Sequence, residues 1–388
     1  MKYAFYSVFF TLISFNCLAD PTLNKSVSES VGNENEAQNA HLIGITRLEG
    51  DAVDDSLNQS RAFGFGVFWD FWDSFSPELG AHVQALTLLQ TGTSEQTIYS
   101  NDEYRPRSKA ELDEAILEVT PGLNLDFRLG AGNQTYFDMP LFFATNVAFP
   151  GATEQWSILP RNDATLNLVF TAQEALASDA WLTSQPEPGE QSAPVYTYGS
   201  VQLESHPASG IKISGRVGYF KFGQLSAAMA QMGRQDGNSV VGLGGSAARF
   251  LYDYSGYDSG LKLSFDLSSR WNLSLLTEWA INNSGPVGAN QGYSYHLTPT
   301  YRLTPGFKIR AQFLKFRNES DLAPAVFTAK ELGHSNRDGY GAGAGFEMEK
   351  QGISLDMIWN SANPIGPNPY QTPFQYIQLL FRKNYTIL

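Results

Sequence analysis

The chain is 388 residues long, 42% hydrophobic and 13% aromatic, with 39 acidic against 26 basic residues and a net charge of −13. That balance, without a basic cluster, excludes nucleic acid, whose binders need cations to displace counterions. No run beyond the N-terminus approaches the ~18 apolar residues of a membrane helix, which excludes a helical membrane protein but not a barrel, whose strands show one apolar face.

Residues 1–19 read as a secretory signal peptide. Lys2 is its positive start, Ala4 to Phe15 its apolar stretch, and Cys17-Leu18-Ala19 the small-x-small cleavage site before Asp20. A buried helix or strand is the alternative. Cys17 also raises a lipoprotein, but Phe15 and Asn16 suit that processing poorly. Cys17 is the only cysteine, so the mature chain has no disulfide, cysteine–zinc site or catalytic thiol. Losing Lys2 with the peptide leaves a charge of about −14. Residues 20–40 are polar and without period, a flexible periplasmic lead-in.

From residue 41 to 388, stretches of about 8–12 residues alternate apolar and polar, joined by very short turns and long polar loops in turn. Phe63, Phe65, Val67, Trp69 and Phe71 alternate with Gly64, Gly66, Phe68, Asp70 and Trp72. Ala115 to Val119 and Leu123 to Leu129 flank a Pro121-Gly122 turn. The clearest hairpin runs from Leu261 to Ile281. Leu261, Leu263, Phe265 and Leu267 share one face, Ser268-Ser269-Arg270 turns the chain, and Trp271, Leu273, Leu275, Thr277, Trp279 and Ile281 return. Thr304-Pro305-Gly306 and Lys350-Gln351-Gly352 turn two further hairpins.

Strands are therefore predicted near 41–49, 62–72, 78–90, 113–120, 123–131, 163–172, 179–186, 196–205, 211–222, 259–268, 271–281, 292–303, 306–317, 338–348, 352–360 and 374–387, sixteen in all. The fold class is all-β: a transmembrane antiparallel β-barrel with short periplasmic turns, long outer loops and both termini periplasmic. A soluble sandwich or propeller is the rival, but several strands here reach ten residues and no blade-length repeat is present.

Two segments carry a family resemblance. Glu319-Ser-Asp-Leu-Ala-Pro-Ala-Val-Phe327, then Leu332-Gly333-His334 and Asp338-Gly339-Tyr340-Gly341, resemble a penultimate outer loop and the strand after it. Asp113 to Val119, before Pro121-Gly122 and Leu123 to Gly130, resembles an early hairpin. Both are similar to a bacterial outer-membrane family of porin-like β-barrels, over roughly 110–150 and 195–388. The resemblance implies a pore for small solutes, seated in outer-membrane lipid and lipopolysaccharide by the barrel-assembly machinery; a homotrimer, frequent among sixteen-stranded porins, is one candidate assembly. Two departures stand out. Residues 20–40 show no heptads where the family often has a coiled coil, and the chain ends at Leu388 where a terminal Phe or Trp is usual.

In a pore, function lies in lumen charge and constriction. Strand parity turns inward the bases Arg128, Lys212, Arg216, Lys262, Arg302, Lys308 and Arg310. It does the same for the acids Glu114, Glu118, Asp126, Asp266, Glu278, Glu347, Glu349 and Asp356. Opposed signs across a lumen orient dipolar solutes; the plainer alternative is neighbouring ion pairs that tie strands together. The loop at about 132–162 is the third outer loop, and Asp138, Glu154, Arg161 and Asp163 are its candidates for a constriction. The loop at about 223–258 holds Leu225 to Met232, a helical turn, and a Gly-rich run at 242–245, a lid or plug.

Catalysis finds little support. Ser294 and His296 share a face at i, i+2, but spacing supplies no third, orienting group. His41, His82, His206 and His334 read as ordinary polar positions, and no P-loop, GxSxG, HExxH or EF-hand spacing is present. The expectation is a passive pore without cofactor or metal. A plugged barrel acting as a surface binding or adhesion protein is the first rival, and a barrel hydrolase the second.

Overall fold

The structure, a computed structural model, describes residues 40–386 apart from 56, 97–103, 123, 135–140, 145–146, 159–165, 178–192 and 243–246. The expected signal peptide at 1–19 and all but the last residue of the expected lead-in at 20–40 lie outside the described residues.

The two-residue period of the sequence becomes strand wherever it is sustained. In chain order these are β1 (His41–Asp54), β2 (Asn58–Ser76), β3 (Leu79–Gln96), β4 (Lys109–Gly122), β5 (Leu125–Asn133), β6 (Ala148–Ser157), β7 (Leu166–Leu176), β8 (Val195–Ala208) and β9 (Ile211–Gly223). A helix α1 (Ala227–Gln235) and a small hairpin β10 (Val240–Val241) and β11 (Arg249–Phe250) follow. Then come β12 (Tyr254–Asp266), β13 (Trp271–Asn282), β14 (Gln291–Thr304), β15 (Phe307–Asn318), β16 (Arg337–Met348), β17 (Ile353–Pro364) and β18 (Phe374–Thr386). β1–β9 and β12–β18 pair antiparallel in chain order, and β1 pairs with β18 to close a sixteen-stranded barrel. Closure leaves no edge unpaired, which a strand in lipid requires.

The wall is two-faced. On β9, Val217 and Tyr219 point out and are exposed, while Arg216, Phe220 and Phe222 point in and are buried. Aromatic pairs belt the exterior at both ends: Trp271 lies 4.7 Å from Tyr301 near one rim, and Tyr219–Tyr257 and Tyr340–Trp359 lie at 5.4 and 5.5 Å near the other. One mouth carries tight connections such as 209–210 and 305–306, where Gly306 at φ +91° supplies the left-handed turn. The chain enters β1 and leaves β18 at this same mouth. The other mouth carries the long loops 134–147, 224–253 and 319–336.

Two sequence expectations are corrected. Residues 148–157, assigned to a loop, form β6, and β7 lies at 166–176. Pro150 and Gly151 interrupt the alternation there and hide the strand. The expected strand at 179–186 falls outside the described residues, and the sixteen strands close without it. The third long loop is thus 134–147, not 132–162.

The largest apolar core does not lie in a sheet sandwich. It sits inside the long-loop mouth, where Phe149, Tyr196, Phe222 and Phe374 from the wall meet Phe142 and Phe327 from loops. Burying each such ring contributes about 1.5–3 kcal/mol.

Candidate functional site

The site is the lumen, built by the inward half of every strand. β4 carries a bulge opposite Gln84 and Ala85, which re-phases the strand so that Glu111 and Glu114, three apart, are both buried inward. Beside it, His82 on β3 bridges two strands: its Nε2 lies 2.6 Å from Asp70 Oδ1 on β2, and its Nδ1 lies 2.8 Å from Glu114 Oε1 on β4. Arg128 on β5 donates to Glu118 Oε1 through Nε and Nη2, at 3.1 and 2.8 Å. Asp126 accepts from Thr120 Oγ1 at 2.8 Å.

Further round the wall, Arg216 on β9 donates to Asp258 Oδ2 on β12 at 2.7 Å. Glu278 on β13 accepts from Ser294 Oγ on β14 at 2.9 Å and from the backbone of Leu141. Arg310 on β15 grips Asp356 Oδ1 on β17 through Nε and Nη2, at 3.0 and 2.6 Å, and Arg382 on β18 stands 3.7 Å from the other oxygen. Glu347 is half-buried beside Lys308 in the register. Lys212, Lys262, Arg302 and Asp266 lie at the short-turn end of the same inward faces.

Glu349 is corrected: it sits in the turn between β16 and β17, not on the strand, and pairs there with Lys308. Glu154 is corrected as well. It lies on β6 and, by parity, on the outward face with Trp156, paired with Phe127 and Ala172. Asp138, Arg161 and Asp163 lie outside the described residues. Ser294 bonds Glu278, not His296, whose Nε2 is buried without a partner, so the two are not assembled as nucleophile and base. The inward groups Asp70, His82, Asp258 and Arg382 were missed as site residues. Parity alone reaches Arg382, two residues on from Leu380 and inward with it; Asp258 was lost because the predicted strand began one residue late.

Above this polar wall, three loops fold into the long-loop mouth. From 134–147, Phe142 packs edge-on against Phe220 with ring centres 4.4 Å apart, and Phe143 against Tyr196 at 5.5 Å. From 319–336, Phe327 meets Phe149 at 4.9 Å and Phe222 at 5.9 Å, and its carbonyl accepts from Ala144 N at 2.6 Å. From 224–253, α1 begins at Ser226, whose Oγ accepts from Met229 N at 3.1 Å, an N-cap where the sequence shows its helical turn. Asn238, just past α1, donates to the carbonyls of Ser320 and Ala323 and accepts from Ala325 N at 2.7 Å. Tyr104 reaches Lys330 O at 3.0 Å and Asn360 reaches Glu331 O at 2.9 Å, so the plug touches well-separated parts of the barrel.

No family model and no curated protein sequence matches the chain. Solved structures do. A loop L8 deletion mutant of OmpT, an outer membrane protein of Vibrio cholerae, aligns at 9% identity with a TM-score of 0.51, over 90% of this chain and 100% of that one. OmpF of Salmonella typhi, solved in complex with daunomycin, aligns at 9% identity with a TM-score of 0.51, over 90% and 98%. At these identities the likeness shows the fold: this chain is a closed sixteen-stranded antiparallel β-barrel, shaped like those of outer-membrane proteins.

Proposed function

We propose that the mature chain is an outer-membrane porin that passes small hydrophilic solutes or ions by passive diffusion, with the short turns and both termini on the periplasmic side. The observation that carries this is the two-faced wall: apolar, aromatic-belted side chains outside, and inside it, below the apolar plug, a lining rich in charged and hydroxyl or amide groups. Such a lining is costly to bury dry, and water in a channel relieves the cost. Arg310, Arg382 and Asp356 on one stretch of wall, and Asp70, His82 and Glu114 on another, would set its selectivity.

The apolar plug favours a second reading, a closed barrel whose long loops bind a partner at the cell surface. Planar-bilayer recording of the refolded protein, with the reversal potential read in a salt gradient, separates the two. Discrete current steps are expected. A silent bilayer from a barrel whose fold is verified by circular dichroism would sink the porin.

A further inference from the structure

One polar junction of the plug centres on Asp321. Asp321 in the 319–336 loop is fully buried, at 0% exposure. Its Oδ1 accepts from Ser239 N at 2.9 Å, and its Oδ2 from Ser239 Oγ at 2.7 Å and Ser320 Oγ at 3.1 Å. Its backbone reaches a third loop: Asp321 N donates to Ala289 O at 2.6 Å, and its carbonyl accepts from Asn282 Nδ2 at 2.8 Å. Asp321 thus joins the 224–253, 283–290 and 319–336 loops.

Among the described residues, every donor to the carboxylate is neutral. The ionisable side chain facing it is Tyr254 of β12, itself buried. Glu319 on its own loop is engaged by Arg317 at 3.0 and 3.1 Å. Asp253 and Asp236 approach the junction through backbone carbonyls, bonded to Asn282 Nδ2 and Ser335 N. A buried carboxylate without a cation is stable when protonated and strained when charged.

We infer that Asp321 is a pH-sensitive lock, holding the 319–336 loop against the 224–253 and 283–290 loops in the barrel mouth while protonated and releasing it when it ionises. Burial pushes the Asp321 carboxyl above the ordinary carboxylate range, against the opposing pull of the Ser239 and Ser320 hydrogen bonds. The sign follows by linkage. A carboxyl raised in the docked state gives docking stability that is complete below its ordinary pKa and is lost as pH rises through the docked one. The mouth closes toward acid and opens as pH rises above the ordinary carboxylate range. The lock rests on the porin reading only for its effect on current.

The test uses thiol labelling as well as current. Ala323→Cys, buried in the plug, is labelled with a maleimide, and its rate is divided by that of Val287→Cys, which is 94% exposed, so that thiolate ionisation cancels. The ratio is expected to rise roughly tenfold as pH is raised from about 4, the ordinary carboxylate range, and to stay flat in Asp321→Asn, which keeps the acceptor and gains a donor without the charge. Bilayer current should follow the ratio. A ratio flat in the parent, or rising equally in Asp321→Asn, overturns the lock. A ratio that rises over a silent bilayer keeps the lock and sinks the pore. Should the cysteine variants misfold, hydrogen exchange of 319–336 in the unaltered protein, corrected for intrinsic pH dependence, gives the same reading.

Discussion

Arg310 and Asp356 form an ion pair across a strand that separates them. In the register Arg310 is opposite Gly345 and Gly345 is opposite Asp356, and the pair closes over the glycine. A Cβ on Gly345 would stand 2.0 Å from Asp356 Oδ1. The inward face of β16 carries Gly339, Gly341, Gly343 and Gly345, leaving room for its neighbours' side chains to meet.

Gly345→Ala should therefore part the pair. Both side chains are under a tenth exposed, so the expected loss is large, about 3 kcal/mol or more if Arg310 is left uncompensated. Urea titration of the folded barrel, read by electrophoretic mobility, measures it. Gly122→Ala, with nothing within 4 Å of the added carbon, is the control and should change little. Equal midpoints for the two variants would refute the argument.

His82→Phe should leave Asp70 and Glu114 without their shared partner. Two contacts of 2.6 and 2.8 Å vanish, and two lumen carboxylates face the solution. The reversal potential should move toward cation selectivity. Stability should fall by about 1.5–3 kcal/mol, as for lost hydrogen bonds to charged groups. An unchanged reversal potential would place the ion path away from β2–β4.

Phe327→Ala should loosen the plug without harming the barrel. Phe327 is buried between Phe149 and Phe222, and removing such a ring costs about 3–5 kcal/mol at the site. Asn238→Ala, which strips three backbone partners, should act alike at about 1–3 kcal/mol. Larger current steps and faster tryptic cleavage at Lys330 are expected in both. Wild-type cleavage kinetics would show that the plug does not depend on these contacts.

The barrel is legible in the sequence because lipid on one side and water on the other impose a period of two on each strand. Leu261 to Ile281 shows it without a break. β6 was hidden where Pro150 and Gly151 lack that contrast, and the strands near the long-loop mouth were read too short. There the inward residues Val53 and Tyr254 pack against the plug, so both faces are apolar and the alternation fades. The plug was foreshadowed only by the helical turn near Leu225 and the apolar stretch around Phe142. Its joints, Asn238 and Asp321, are ordinary loop residues whose importance comes from contacts about eighty residues away, which no local pattern encodes. His82 was passed over for the same reason: its partners sit on β2 and β4.

The parity itself can be tested with one charge placed on either side of the wall. Val217 on β9 is 60% exposed on the outward face, near the middle of its strand. Thr298 on β14 lies on the inward face between His296 and Thr300. A lysine in the lipid-facing position should cost about 2–4 kcal/mol, since the hydrocarbon offers it no water or partner. Val217→Lys should fold poorly into bilayers yet leave the selectivity of any folded channel unchanged. Thr298→Lys should insert normally and shift the reversal potential toward anions. If both variants fold alike, or if the outward lysine is the one that moves the potential, the assignment of β9 and β14 to lipid and lumen faces is wrong.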